Sequence, residues 1–223
     1  MISFDNVSKF YPSKKGRKYV FKEVNIQIPM EKNIGILGPN GVGKSTLIRM
    51  MGGADYPNFG TIHSNKKISW PLGLQGGLQA SMSGRENTRF VARIQGYKDT
   101  KEIEQKVAEF AGIGDYFNEP VKTYSSGMRS KVTFGLATAF DFNFDVLLID
   151  ELRAVGDANF KKKSTEILEQ RYKNKTIIMV SHSMPELKKF CQSGIVIKNQ
   201  NIYFHQDIKN AIQDYEETYD INQ

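Results

Sequence analysis

The chain has 223 residues, 39% hydrophobic and 25% charged, with 31 basic against 24 acidic side chains and a net charge of +7. That balance belongs to a folded chain able to bury a core, and it argues against disorder and against several full domains. No apolar run approaches the ~20 residues of a membrane helix, the first residues lack a secretory pattern, and the single cysteine, Cys191, excludes an internal disulfide.

In chain order, Ile2, Phe4 and Val7 sit near alternating positions and read as a strand, followed by a basic loop over 13–18. Residues 24–28 alternate cleanly and stop at Pro29. Residues 34–37 form a short apolar run that ends in a glycine-rich turn, and 45–51 behind it have helical periodicity. From Gly84 to about Ala139 the pattern is mostly helical. Phe90, Val91 and Ile94 share one predicted face, as do Ile103, Val107, Phe110 and Ala111, and a third helix begins near Gly127. Strands return at 146–149, 176–180, 195–197 and 202–204. Helical stretches at 160–172 and 185–190 separate the first three, and a polar helix over 207–218 follows the last. Alternating strands and helices imply an α/β domain over 1–223, its sheet largely parallel, with a helical subdomain inserted at about 78–138.

Gly38-Pro39-Asn40-Gly41-Val42-Gly43-Lys44-Ser45-Thr46 fits G-x-x-x-x-G-K-[ST], between a predicted strand and a predicted helix. Its glycines let successive N–H groups turn towards phosphate oxygens, and the helix amino terminus adds partial positive charge. Lys44 is expected to reach the outer phosphates, and Ser45 to offer a hydroxyl to Mg²⁺. A later apolar strand ends in Asp150-Glu151. Asp150 is expected to hold Mg²⁺, and Glu151 to act on the attacking water. His182 follows the next strand, where ligands of open α/β sheets bind, and is expected to contact the γ-phosphate. His63 and His205 have no such context and read as structural or exposed, and Cys191 as a small buried residue.

Together these residues resemble the ATP-binding subunit of an ABC transporter, over essentially the whole chain. The resemblance implies a P-loop cassette with a mainly parallel core, an antiparallel β part and an inserted helical subdomain. Its most specific element is Tyr124-Ser125-Ser126-Gly127-Met128, against the family's Leu-Ser-Gly-Gly-Gln. In the family this loop binds the γ-phosphate held by the opposite subunit, which assigns Ser125, Ser126 and Gly127 to nucleotide. Tyr11 resembles the aromatic that stacks on adenine, with Phe10 as the alternative. The family's Mg²⁺-sensing glutamine is Gln75 or Gln79, and Asp157 resembles the end of the intersubunit loop. Gly84-Arg85-Glu86-Asn87 and Ala154-Val155-Gly156-Asp157 join the altered signature in resembling exporters of cell-surface polysaccharide. The short carboxyl tail points to the capsular rather than the O-antigen type.

The resemblance further implies ATP and Mg²⁺ as ligands and a head-to-tail dimer with two ATP molecules between the copies. It implies integral membrane permease partners docking near 75–82, and a peripheral place on the cytoplasmic face of the bacterial inner membrane. A soluble ABC-type ATPase acting on nucleic acid or the ribosome is the alternative that the positive charge leaves open, although no tandem cassette or inserted coiled coil accompanies it.

Overall fold

The computed structural model describes residues 1–14, 16–73, 78–140, 144–150, 158–171, 175–181 and 183–219. The elements in chain order are β1 (Ile2–Ser13), β2 (Gly16–Ile28), β3 (Ile34–Leu37), α1 (Lys44–Met51), β4 (Phe59–Ser64) and β5 (Ile68–Gly73). Then come α2 (Gly84–Ile94), α3 (Lys101–Ala111), α4 (Ser126–Ala139), β6 (Val146–Asp150) and α5 (Ala158–Arg171). The last are β7 (Thr176–Val180), α6 (Met184–Phe190), β8 (Ser193–Lys198), β9 (Asn201–His205) and α7 (Ile208–Tyr219). They fall into two compact units, one of Met1–Pro71, Asn143–Glu151 and Asn174–Gln223, the other of Leu72–Phe142 and Leu152–Lys173.

The first unit carries two sheets. A six-stranded sheet has the order β5-β6-β7-β3-β8-β9. Within it β6, β7, β3 and β8 run parallel, and β9 returns antiparallel through Asn199-Gln200, both at positive φ as a tight hairpin turn requires. The parallel strands read as apolar runs rather than alternations because both of their faces are buried. The second sheet is antiparallel, in the order β2-β1-β4. Phe4, Phe21, Leu47 and Ile48 join the parallel strands in one core.

Close approach of α7 to the sheet depends on bare backbone. A Cβ on Gly194 would lie 2.4 Å from Ala211 Cβ, and one on Gly35 would lie 3.1 Å from Ile208 Cδ1. Asp214 on α7 accepts from Lys198 and pairs with His205 Nε2 at 3.0 Å. His205 is thus a structural partner, whereas His63 is exposed on β4.

Several elements depart from expectation. The loop expected over 13–18 is largely hairpin, with Ser13 paired to Gly16 and Pro12 to Arg17. Its described residues are exposed, so the polar composition reflects solvation rather than loop structure. β4 and β5 had no predicted counterpart. β4 is exposed at almost every position and therefore shows no apolar alternation.

The second unit buries Val107, Phe117, Val121, Tyr124, Val132 and Leu136 in a core of its own. Phe110, Phe134 and Phe160 pack ring against ring, with centroids 5.2–5.8 Å apart. α2 starts with a reciprocal capping box between Ser83 and Glu86. Its buried residues are Gly84, Asn87, Thr88 and Ala92, while Phe90 and Ile94 are 57% and 65% exposed. Of the predicted shared face, Val91 packs half-buried against the core while Phe90 and Ile94 are turned outward, and polar side chains with local partners fill the inner side. Thr88 Oγ1 donates to the Gly84 carbonyl, and Asn87 donates to three carbonyls of 79–83. Glu104 on α3 is also buried, and it accepts from Arg89 at 2.8 Å, Thr100 at 2.8 Å and Arg85 at 3.2 Å. The Arg89 hydrogen bond, helped by Thr100 and Arg85 and opposed by burial, holds its carboxyl down at about 2.

Candidate nucleotide-binding site

The carboxyl end of β3 runs into the turn 38–43, and α1 starts at Lys44. The turn is possible because Gly43 is glycine. Its φ is 120°, and a Cβ there would lie 2.4 Å from Val20 Cγ1. Pro39 O accepts from the Val42 N–H at 3.4 Å, and Gly43 O accepts from the Leu47 N–H at 2.8 Å. Lys44 is buried, and its ammonium donates to the carbonyls of Gly38 at 2.6 Å and Pro39 at 3.0 Å. The first turn of α1 has no acidic residue, so nothing there opposes an anion at the helix amino terminus.

A cavity of about 310 Å³ opens over this turn. Asn40, Gly41, Gly43, Lys44, Ser45 and Thr46 line it, with Tyr11, Lys18 and Val20 from the antiparallel sheet and Asp150 and Val180 from the strand ends. Strand order explains the meeting. β7 lies between β6 and β3, and its neighbours deliver Asp150 and the turn at their carboxyl ends. Ser45 Oγ is 3.5 Å from Asp150 Oδ1, across 105 positions of sequence. These two oxygens are hard donors suited to Mg²⁺, which takes few protein ligands and keeps water and phosphate oxygens in its remaining positions. Among the described residues no group of three or more His, Cys, Asp or Glu could hold a metal by itself.

In the second unit, Ser125 is the N-cap of α4, its Oγ accepting from the Met128 N–H at 3.2 Å. Ser125 and Ser126 are exposed, and a Cβ on Gly127 would meet nothing nearer than 3.9 Å. Tyr124 anchors this loop, since its buried hydroxyl accepts from the Gly84 N–H at 2.9 Å. Burial raises the Tyr124 phenol above its ordinary value. Gln79 N–H donates to Asn87 Oδ1 at 2.7 Å, which fixes the segment before α2.

The sequence pattern of the ABC transporter family matches residues 21–154, more than half of the chain. The chain belongs to the ABC transporter family. The polysialic acid transport ATP-binding protein KpsT of Escherichia coli is 48% identical, over 100% of this chain and 99% of its own. The capsule polysaccharide export ATP-binding protein CtrD of Neisseria meningitidis serogroup B is 40% identical, over 96% and 98%. The fold matches the ATP-binding cassette MJ0796, solved as a dimer in a post-hydrolysis state bound to ADP and Pi. That match has a TM-score of 0.73 at 21% identity, covering 93% of this chain and 99% of the other.

Of the expected site residues of this ABC chain, 38–46, Tyr11 and Asp150 all belong to the first unit and line or build one cavity. Gln75, Glu151, Asp157 and His182 lie outside the described residues. Sequence reasoning missed Lys18 and Val20 on the cavity wall, together with Lys9 and Asp55 behind Tyr11. Lys9, Lys18 and Val20 come from strands whose place is set by sheet pairing, and Asp55 from the loop after α1, a meeting that no local spacing encodes.

Proposed function

We propose that this chain is the ATP-hydrolysing subunit of an ABC exporter that moves a cell-surface polysaccharide of capsular type across the cytoplasmic membrane. The observation that carries the polysaccharide reading is end-to-end similarity to proteins named for polysialic acid and capsule export. The cavity over the phosphate turn supports the ATP reading.

The chain acts as one cassette domain with an inserted helical part. In the reaction, backbone N–H groups of 40–46 and the Lys44 ammonium take the β- and γ-phosphate oxygens, and Tyr11 stacks on adenine. Ser45, Asp150 and a glutamine, Gln75 or Gln79, would hold Mg²⁺, which would draw charge off the phosphate oxygens. Glu151 orients and deprotonates the attacking water. The proton passes to its carboxylate as the oxygen attacks the γ-phosphorus and ADP leaves. His182 donates a hydrogen bond to the γ-phosphate. A second copy facing head to tail supplies Ser125, Ser126 and Gly127 to the same phosphate, with Asp157 at the intersubunit loop. ATP therefore favours the closed pair, and hydrolysis releases it.

Among the described residues no helix is long and apolar enough to cross a membrane. Export then needs a permease, and the chain works from the cytoplasmic face. The outward Phe90 and Ile94 of α2, one helical turn apart, give that partner an apolar face to grip.

The experiment is complementation of a strain lacking the chain. Wild type restores surface polysaccharide, while Glu151→Gln binds ATP but restores neither hydrolysis nor export. Normal hydrolysis by purified Glu151→Gln refutes the assigned base. Normal surface polysaccharide in the deletion strain refutes the transport reading.

A further inference from the structure

Phe10 and Tyr11 are neighbours on β1, yet only Tyr11 lines the cavity. Phe10 packs between Tyr19 and Phe59 with Arg17 across its ring. Tyr11 is tethered from behind. Its hydroxyl donates to Asp55 Oδ2 at 2.8 Å. Asp55 Oδ1 accepts from Lys9 Nζ at 2.6 Å and from the Tyr56 N–H at 2.8 Å. The Lys9 ammonium also donates to the Tyr56 carbonyl at 2.7 Å and stands 5.0 Å over the Tyr11 ring.

This is an ordered cluster rather than a loose surface pair. The Lys9 side chain is 7% exposed and that of Asp55 23%. Burial alone raises the Asp55 carboxyl, but hydrogen bonds from Lys9, Tyr11 and the Tyr56 N–H outweigh it and leave the group below its ordinary value. A tyrosine serving only to fill space needs no half-buried ion pair held at its hydroxyl. The cluster is also fixed to α1, because the N–H groups of Ala54 and Asp55 donate to the Arg49 carbonyl at 2.8 and 3.2 Å. The same helix carries the phosphate turn at its other end, about 12 Å away for eight residues.

Resting on the nucleotide reading above, we infer that Asp55, held by Lys9, is a positioning residue that sets the Tyr11 ring against the nucleobase at a fixed distance from the phosphate turn. Lys9 occupies one face of the ring, so a base stacks on the other. The geometry thereby makes base recognition one-sided and ties its register to the helix that grips the phosphates. Asp55 touches neither base nor phosphate, and its effect passes through the Tyr11 hydroxyl.

The test uses the full chain and two probes, ATP and inorganic tripolyphosphate, which lacks a base. Tyr11→Phe removes one oxygen, leaves the ring, and is expected to raise KM and Kd for ATP about 3- to 10-fold, the range of an ordinary net hydrogen bond, because this one is open to solvent. The loss falls in KM rather than kcat, and tripolyphosphate affinity does not move. Asp55→Asn gives the same split, and the double variant is no weaker than either single one. If Asp55→Asn fails to fold because Lys9 is left buried and unpaired, Tyr11→Phe decides alone. The inference is overturned if Tyr11→Phe binds ATP normally while Tyr11→Ala does not, if tripolyphosphate weakens in step with ATP, or if the two changes add. Failure of the nucleotide reading itself looks different: wild type then binds neither probe, and Lys44→Ala changes nothing.

Discussion

Glu104→Gln isolates the buried carboxylate that joins α2 to α3 in the helical unit. A carboxyl held at about 2 instead of its ordinary 4.5 corresponds to about 3 kcal/mol of stability at neutral pH. Arg85 and Arg89 are 40% and 42% exposed, so water screens part of this, and the expected loss is about 2 kcal/mol. The sign follows from the depressed value. The folded state favours the ionised form, so the contribution is fully present above the ordinary 4.5 and fades as pH falls towards about 2. Urea unfolding of wild type and variant at pH 7, 5 and 3.5 is the assay. The gap between them is expected to hold from pH 7 to 5 and to narrow clearly at 3.5. A gap that is the same at all three values assigns the loss to packing and refutes the electrostatic account.

Other perturbations test separate parts of the structure. Gly194→Ala puts a Cβ 2.4 Å from Ala211 Cβ, and thermal unfolding is expected to show a loss of about 1–3 kcal/mol as α7 is pushed off the sheet. Phe90→Glu with Ile94→Glu alters only exposed side chains of α2. Under the proposed docking, the variant folds and hydrolyses ATP as an isolated chain but no longer cofractionates with membranes or supports export. Burial pushes the Cys191 thiol up to about 12, so a thiol reagent at pH 8 is expected to label it only after denaturation. Prompt labelling of the native chain contradicts that burial.

The phosphate turn was legible because strand, turn and helix are contiguous, and each glycine in 38–43 answers a local backbone demand. The parallel strands were legible for a similar reason. Two-sided burial leaves unbroken apolar runs such as 146–149 and 177–180. The periodicity of Phe90, Val91 and Ile94 marked α2 as a helix but did not report that Val91 packs on the core while Phe90 and Ile94 face out. Asn87 and Thr88 instead satisfy their polar groups inward, and no hydropathy pattern reports that.

Long-range pairing decided the rest. Ser45 meets Asp150 because β7 spaces β3 and β6 correctly, and Tyr11 meets Asp55 because β1 passes beside the end of α1. The residue types proposed to bind phosphate occupy nine consecutive positions, so the sequence by itself determined that this chemistry could be read locally. Which side chains hold those groups in place depends on elements dozens of residues apart being brought within hydrogen-bond reach, and only the tertiary structure decided that.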